Sequence, residues 1–159
     1  MPNIQIRPAS AADLEQINVI IAAAIGTWSL PARVRRLALP SYQYDDGDLS
    51  HLDMTVATSE QAVVAIAACE PAASRETPAG ASGLLLHGLY VHPDHAGTGF
   101  GRALFEHCCE QAGAGGHGGL LVKATRDSAS YFEHLGMQPV PVSDPQRDYA
   151  LRYWRPLSN

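Results

Sequence analysis

Three glycines at alternate positions, Gly97, Gly99 and Gly101, follow the apolar run Leu84 to Val91 and open a segment with helical periodicity. Residues His92 to Ala96, with Pro93 among them, break the run between strand and helix. Glycines spaced this way remove side chains where backbone N–H groups must approach a ligand closely. A helix start adds unpaired N–H donors and partial positive charge. Together these make an anion site, most often for phosphate. The turn from Gly97 to Arg102 is therefore expected to hold a phosphate-bearing cofactor. Just before it, His87 is the one ionisable residue of the apolar run short of its end. An imidazole titrates near pH 6.5, which suits a base working near neutrality.

Other phosphate turns fit less well. A P-loop needs Gly-x-x-x-x-Gly-Lys-Ser/Thr, and no Lys follows these glycines before Lys123. A dinucleotide fingerprint needs Gly-x-Gly-x-x-Gly, and Arg102 stands where the third Gly belongs. The next strand, Leu120 to Ala124, carries no carboxylate for a ribose. The plain alternative is a tight turn that uses glycine only for its geometry.

The pattern Val91-x-Pro93-x-x-x-Gly97-x-Gly99-x-Gly101-x-x-Leu104 resembles the acetyl-CoA motif of the GNAT superfamily of N-acetyltransferases. Ala96 takes the place of that motif's usual Arg or Gln. A second stretch, Ser128-x-x-Tyr131-Phe132-Glu133-His134-Leu135-Gly136-Met137, is similar to the late helix of the same family. The start, Ile4 to Leu14, looks like its first strand and first helix. The resemblance covers nearly the whole chain.

It implies a GNAT-like three-layer α/β fold, with a mixed central β-sheet and helices on both faces. It implies acetyl-CoA, or another short acyl-CoA, and transfer to a small-molecule amine by direct attack in a ternary complex. The cofactor contacts it implies are Leu89, Tyr90, Val91, Ala96, Gly97, Thr98, Gly99, Phe100, Gly101 and Arg102, then Thr125, Ser128, Tyr131 and Phe132. The oxyanion is expected at a backbone N–H near Val91. His87 is the candidate base; its alternative is a hydrogen-bonded core histidine. Strand alternation puts it on the face of Leu89 and Val91 unless a bulge, common here in the family, intervenes. The family's leaving-group Tyr falls at Phe132. Tyr131, about 100° away on a helix, cannot simply replace it and is a secondary candidate acid. Trp28, Tyr42 and Tyr44, with Tyr153 and Trp154, are candidates to line the acceptor pocket. Asp45, Asp46 and Asp48 are placed to attract a cation, or are simply a solvated acidic loop. The alternative function is a non-catalytic acyl-CoA-binding or sensing module. A nucleotide-binding domain of another fold is the third reading. Dimerisation is common in the family, which leaves a homodimer open.

With 159 residues, one domain spanning 1–159 is expected. The net charge is −5 and no basic stripe is present, which argues against nucleic acid. No apolar run is long enough to span a membrane, and no signal-peptide pattern is evident. Cys69, Cys108 and Cys109 lack metal or disulfide spacing and are expected to be buried thiols. A reducing, cytoplasmic location fits them. His92-x-x-His95 has only Asp94 as a neighbouring ligand type, so no metal site is expected.

Several elements must position these residues. Ile4 to Arg7 reads as a strand, and Ser10 with Asp13 as a capping box. Leu14, Ile17, Ile21, Ala24 and Ile25 then line a helical face. Thr27 to Ser50 reads as irregular, broken at Pro31 and Pro40. Met54 to Thr58 and Ala62 to Ala68 read as a hairpin across Ser59-Glu60-Gln61. Pro71 to Gly83 is expected to be a mobile loop. Leu84 to Val91 reads as a central strand covered on both faces. Phe100, Ala103, Leu104, His107, Cys108 and Gln111 form one helical stripe. Leu120 to Lys123 is a short buried strand. Thr125 or Asp127 is expected to cap the helix that ends at Gly136. Val140 to Val142 and Tyr149 to Trp154 are expected to close the sheet as an antiparallel pair.

Overall fold

Strands β1 (Gln5–Pro8), β2 (Asp53–Ser59), β3 (Ala62–Pro71), β4 (Gly83–Val91), β5 (Gly119–Lys123), β6 (Gln138–Pro139) and β7 (Arg152–Pro156) alternate with five α-helices in a computed structural model that describes residues 3–157. The helices are α1 (Leu14–Ile25), α2 (Ala32–Tyr42), α3 (Asp46–His51), α4 (Phe100–Ala114) and α5 (Ala129–His134). The strands form one mixed sheet in the order β1-β2-β3-β4-β5-β7-β6. The pair β4–β5 is parallel, whereas β1–β2, β5–β7 and β6–β7 are antiparallel. No described helix is long and apolar enough to cross a membrane. The chain divides into two compact units, Met1–Ala68 with Gly88–Phe105, and Cys69–His87 with Glu106–Asn159.

In the first unit, β1 pairs with β2 from Gln5–Thr58 to Pro8–Thr55. Helix α1 buries Ile17, Ile20, Ile21 and Ile25 against Met54, Val56, Val63 and Ile66. Ile20 takes the core position that periodicity assigned to Ala24. The Ser10 amide and hydroxyl both donate to Asp13 Oδ2, at 2.8 and 3.1 Å, so the expected cap forms. Arg7 joins it with two hydrogen bonds to Asp13, at 2.8 and 2.9 Å. Glu60 and Gln61 connect β2 to β3 with φ of 51° and 70°. These are the two left-handed positions of a tight hairpin turn, filled by residues that rarely adopt them.

The segment Thr27 to Ser50 is not irregular. Pro31 caps α2, and Pro40 lies within its last turn. Helix α2 has no fully buried residue, and Val34 and Leu37 point into solvent. Leu39 and Tyr42 pack on the α1 core instead. Helix α3 starts on a true capping box: the Asp48 amide donates to Asp45 Oδ1 and the Asp45 amide to Asp48 Oδ2, both at 2.9 Å.

In the second unit, β4 and β5 pair from Gly83–Gly119 to Leu86–Val122. Added Cβ atoms at Gly83 and Gly119 would lie 2.8 and 2.2 Å from the Trp154 ring, so the paired glycines form a slot for that indole. The closing pair is shifted from its expected place: β6 is only Gln138–Pro139 and β7 lies between it and β5. Residues 71–83 are not a loose loop. They form short 3₁₀ turns at Ser74–Glu76 and Pro78–Gly80, and the buried Thr77 hydroxyl donates to Ser74 O at 3.0 Å. Buried Arg152 donates to Glu76 O and Pro141 O, and Glu76 pairs with Lys123 at 2.7 Å. Satisfying loop carbonyls with one buried guanidinium removes the usual reason for such a segment to be solvated.

The buried side of α4 runs through Phe100, Gly101, Leu104, Phe105, Cys108, Cys109 and Ala112. This stripe is rotated from the expected one, and Gln111 faces solvent. All three cysteines are buried and none is in a disulfide. Burial, with smaller charge effects, pushes the Cys109 thiol up to about 11.

Candidate active site

Strand β4 ends where the His92 amide donates to Val64 O at 2.9 Å. The His92 ring then caps the following 3₁₀ turn, Pro93–His95: its Nδ1 accepts from the Asp94 amide at 3.1 Å. The His95 ring stands edge-on to Phe100, with centroids 5.6 Å apart, and Phe100 is buried. The turn is thus anchored at both ends, by strand pairing and by an aromatic contact. Between these anchors the chain is exposed from Ala96 to Gly99. The Thr98 hydroxyl donates to His95 O.

Gly97 and Gly99 have φ of 74° and 100°. Both need glycine for conformation alone. An added Cβ at Gly97 would meet nothing within 4 Å, and at Gly99 only Ile4 Cδ1 at 3.9 Å. The protein therefore leaves room above this backbone that its own atoms do not use. The first amide of the segment with an acceptor is Ala103, which donates to Gly99 O at 3.0 Å. Among the described residues, the amides from Gly97 to Arg102 have none. A run of free donors at a helix start, with open space at Gly97 and Gly99, fits a polyanion such as pyrophosphate. Arg102 is exposed beside it.

On β4, Leu84 and Leu86 are buried while His87 is exposed and Leu89, Tyr90 and Val91 are half-buried. The strand is thus not covered on both faces. His87 is its exposed residue, while Gly88 to Val91 are all half-buried and show no alternation of burial.

The aromatic candidates of the first unit come together. Trp28 and Tyr42 meet edge to face at 5.2 Å. Both pack on the core cluster that also takes Tyr90 and buried Tyr44. Burial, and secondarily the charge of Tyr42, holds the Tyr90 phenol above its ordinary range. A Cβ at Gly88 would lie 2.5 Å from the Tyr44 hydroxyl and 2.8 Å from the Tyr90 ring. Tyr44 is fixed by Asn18 of α1, whose Nδ2 donates to Tyr44 O at 2.8 Å and whose Oδ1 accepts the Tyr44 amide at 2.9 Å. Sequence reading missed Asn18; a polar residue bordering the Ile17–Ile21 stripe was its only signal. Tyr153 and Trp154 lie in the second unit and are buried.

The carboxylates of Asp45 and Asp48 are engaged in the α3 cap, which leaves Asp46 as the uncommitted acid of that group.

In the second unit, Thr125 and Ser128 bond each other. The Thr125 amide donates to Ser128 Oγ at 2.9 Å, and the Ser128 amide to Thr125 Oγ1 at 3.2 Å. Thr125 thus holds the entry to α5, and Asp127 plays no part in it. Phe132 is buried, whereas Tyr131 is 39 % exposed with its ring 5.5 Å from that of Phe132. Among the described residues, no three His, Cys, Asp or Glu side chains are grouped to hold a metal ion.

Comparison with known proteins follows the same lines. Residues 50–139 match the family model described as the acetyltransferase (GNAT) domain. No curated sequence matches. Solved structures do. A GCN5-related N-acetyltransferase from Rhodopseudomonas palustris superposes with a TM-score of 0.72 at 23% identity, over 99% of this chain and 98% of its own. A PaiA N-acetyltransferase from Thermoplasma acidophilum, solved in complex with coenzyme A, superposes with a TM-score of 0.74 at 13% identity, over 98% and 99%. The ribosomal-protein-S18-alanine N-acetyltransferase from Escherichia coli superposes at 0.65 with 18% identity, over 99% and 96%. At such identities the likeness is one of fold, but the family match spans more than half the sequence, and with it the glycine turn and the whole second motif: the chain belongs to the GNAT acetyltransferase domain family.

Proposed function

We propose that the protein is an acyl-CoA-dependent N-acyltransferase, with acetyl-CoA as donor and a small amine as acceptor. The observation that carries this reading is the run of unpartnered amides from Gly97 to Arg102, with open space at Gly97 and Gly99. Those amides and Arg102 would hold the cofactor's phosphates, while Leu89 to Val91 offer strand backbone to its amides. Bound acyl-CoA supplies a thioester carbonyl and a thiol leaving group. His87, exposed on the strand before the cradle, takes the proton from the acceptor ammonium, which frees the nitrogen lone pair. Tyr131, an exposed residue of α5, is the candidate proton donor to the departing sulfur; Phe132, buried, serves packing. The whole chain acts as one acetyltransferase domain. Its three buried cysteines, none in a disulfide, suit a reducing compartment, and we assign it to the cytoplasm.

Thermal unfolding with acetyl-CoA, and with ATP and NAD as controls, tests the donor. At a hundredfold excess over Kd the ligand adds about 2.7 kcal/mol, or roughly 5–10 °C for a domain of this size. A shift with acetyl-CoA alone supports the reading, and equal shifts with ATP or NAD overturn it. Binding without thiol release, across an amine panel, would instead favour the sensing module, the reading that buried Phe132 keeps in view.

A further inference from the structure

We propose that Lys123 is an acyl acceptor within the protein itself, modified beside His87 of its own chain; this rests on the acyltransferase reading above. Lys123 is the one lysine among the 11 Lys and Arg residues of the sequence. Guanidinium groups stay charged and are not acylated in this way, so no other side chain offers an amine. Strand β5 ends at Lys123 and runs parallel to β4, with Leu86 opposite Val122. One residue further along that register stand His87 and Lys123, both exposed, whereas Leu86 and Val122 are buried. Successive side chains alternate between faces, and neighbouring strands lie about 4.8 Å apart. The amine and the candidate base therefore share one face of adjacent strands within the second unit.

The surroundings hold the lysine at that face. Its ammonium pairs with Glu76 Oε2 at 2.7 Å and lies 5.7 Å from the centre of the Tyr149 ring. Tyr149 is itself fixed, since its hydroxyl donates to Ala124 O at 2.9 Å. Arg152 holds segment 71–83 through the main-chain oxygen of Glu76, at 2.9 Å, so the ion pair can open without releasing that segment. The step is the proposed reaction with an internal acceptor. His87 takes a proton from the Lys123 ammonium. The nitrogen lone pair bonds to the thioester carbonyl carbon, the carbon–sulfur bond breaks, and a second proton from nitrogen leaves with sulfur as the free thiol. The amide formed is neutral, so acylation removes the charge that Glu76 and the Tyr149 ring meet.

The test incubates the folded chain with saturating acetyl-CoA and no added amine, then reads intact mass and maps the modified peptide. An acetyl group is expected on Lys123, gained with a rate constant that does not change when the protein is diluted. His87→Gln should slow this gain about 10²-fold, the contribution of a general base. Glu76→Gln spares the main-chain bond from Arg152 and should speed the gain about two- to fivefold, the scale of a partly exposed ion pair. No acetyl group on Lys123, while an added amine is turned over, overturns the proposal. An equal rate in folded His87→Gln also overturns it, because chemical acetylation alone would then suffice. A rate constant that falls on dilution overturns it as well, since transfer would then run between molecules. Acetyl-CoA binding is read separately by calorimetry. Its failure brings down the acyltransferase reading and this one with it, whereas intact binding and amine turnover without acetyl-Lys123 bring down this one alone.

Discussion

The Tyr44 hydroxyl closes directly over the backbone of Gly88, so that a methyl group at position 88 would fall 2.5 Å from the phenol oxygen. Tyr44 is buried and its backbone is held by Asn18, so it has little freedom to withdraw. Gly88→Ala is expected to cost about 1–3 kcal/mol, the usual range for overpacking. Tyr44→Phe removes the offending oxygen, and the double variant should recover part of the loss. A double-mutant cycle by chemical denaturation measures the coupling; strict additivity would mean that strand β4 shifts instead.

The glycine turn separates conformation from ligand binding. Gly97→Asn should fold nearly as well as wild type, because Asn tolerates left-handed φ. Gly97→Ala should lose about 1 kcal/mol for strain at its φ of 74°. A Cβ at Gly99 meets only Ile4 Cδ1, at 3.9 Å, so Gly99→Val strains a φ of 100° and also puts a side chain beside the free amides. We expect it to weaken acetyl-CoA binding at least about tenfold in calorimetry, a loss of 1.4 kcal/mol or more. Wild-type affinity in folded Gly99→Val would remove the phosphates from this turn.

The hairpin turn between β2 and β3 holds Glu60 and Gln61 at φ of 51° and 70°. Asn and Gly are the residues such a turn favours. The double change Glu60→Asn with Gln61→Gly should stabilise the protein by about 1–2 kcal/mol. That corresponds to a Tm higher by roughly 2–8 °C, with turnover unchanged. A lower Tm would show that the two side chains make contacts worth more than the strain.

Acid should weaken the start of α1. Hydrogen bonds from Arg7, and then from Ser10, hold the Asp13 carboxyl at about 2, below its ordinary 3.8. The folded state thus binds this proton less readily than the unfolded chain. The stabilisation is complete above about pH 5 and is lost as pH falls toward 2. Arg7 is nearly half exposed, so solvent screening limits the contribution to about 1 kcal/mol. Asp13→Asn should therefore destabilise at pH 7, and its difference from wild type should shrink in denaturation curves taken at pH 3. A constant difference would assign the effect to the cap geometry alone.

His87 gives the mechanistic test. His87→Gln should lower kcat by about 10²-fold or more, the typical contribution of a general base, with a smaller change in acetyl-CoA affinity. The acidic limb of the kcat profile should disappear with it. A retained limb would pass the role to another group or to water.

Elements that bury a stripe or end at glycines were legible in the sequence. The strand β4, the turn after it, α1 and the β2–β3 hairpin all appear where the pattern placed them. Helix α2 was not legible because it contributes no fully buried side chain, and its outward Val34 and Leu37 blur the amphipathic signal. Pro40 added a false break, since a proline in the last turn disrupts little of the helix beyond it. Loop 71–83 was misread because the group that orders it, Arg152, lies far along the chain. In the site, the cradle follows from local sequence, since φ and free amides are local properties. The clamp of Asn18 on Tyr44 is a tertiary contact, and no spacing rule announces it.

The paired glycines Gly83 and Gly119, which seat the Trp154 ring, have one more consequence. Trp154 is one of the two tryptophans in the sequence; the other, Trp28, belongs to the other unit and is partly exposed. Each unit thus carries its own intrinsic fluorophore, and the two differ in polarity of surroundings. Emission from Trp154 starts blue and that from Trp28 redder. A denaturation curve followed at the two wavelengths, with Trp154→Phe to separate them, reports whether the units lose their structure in a single cooperative step or in succession.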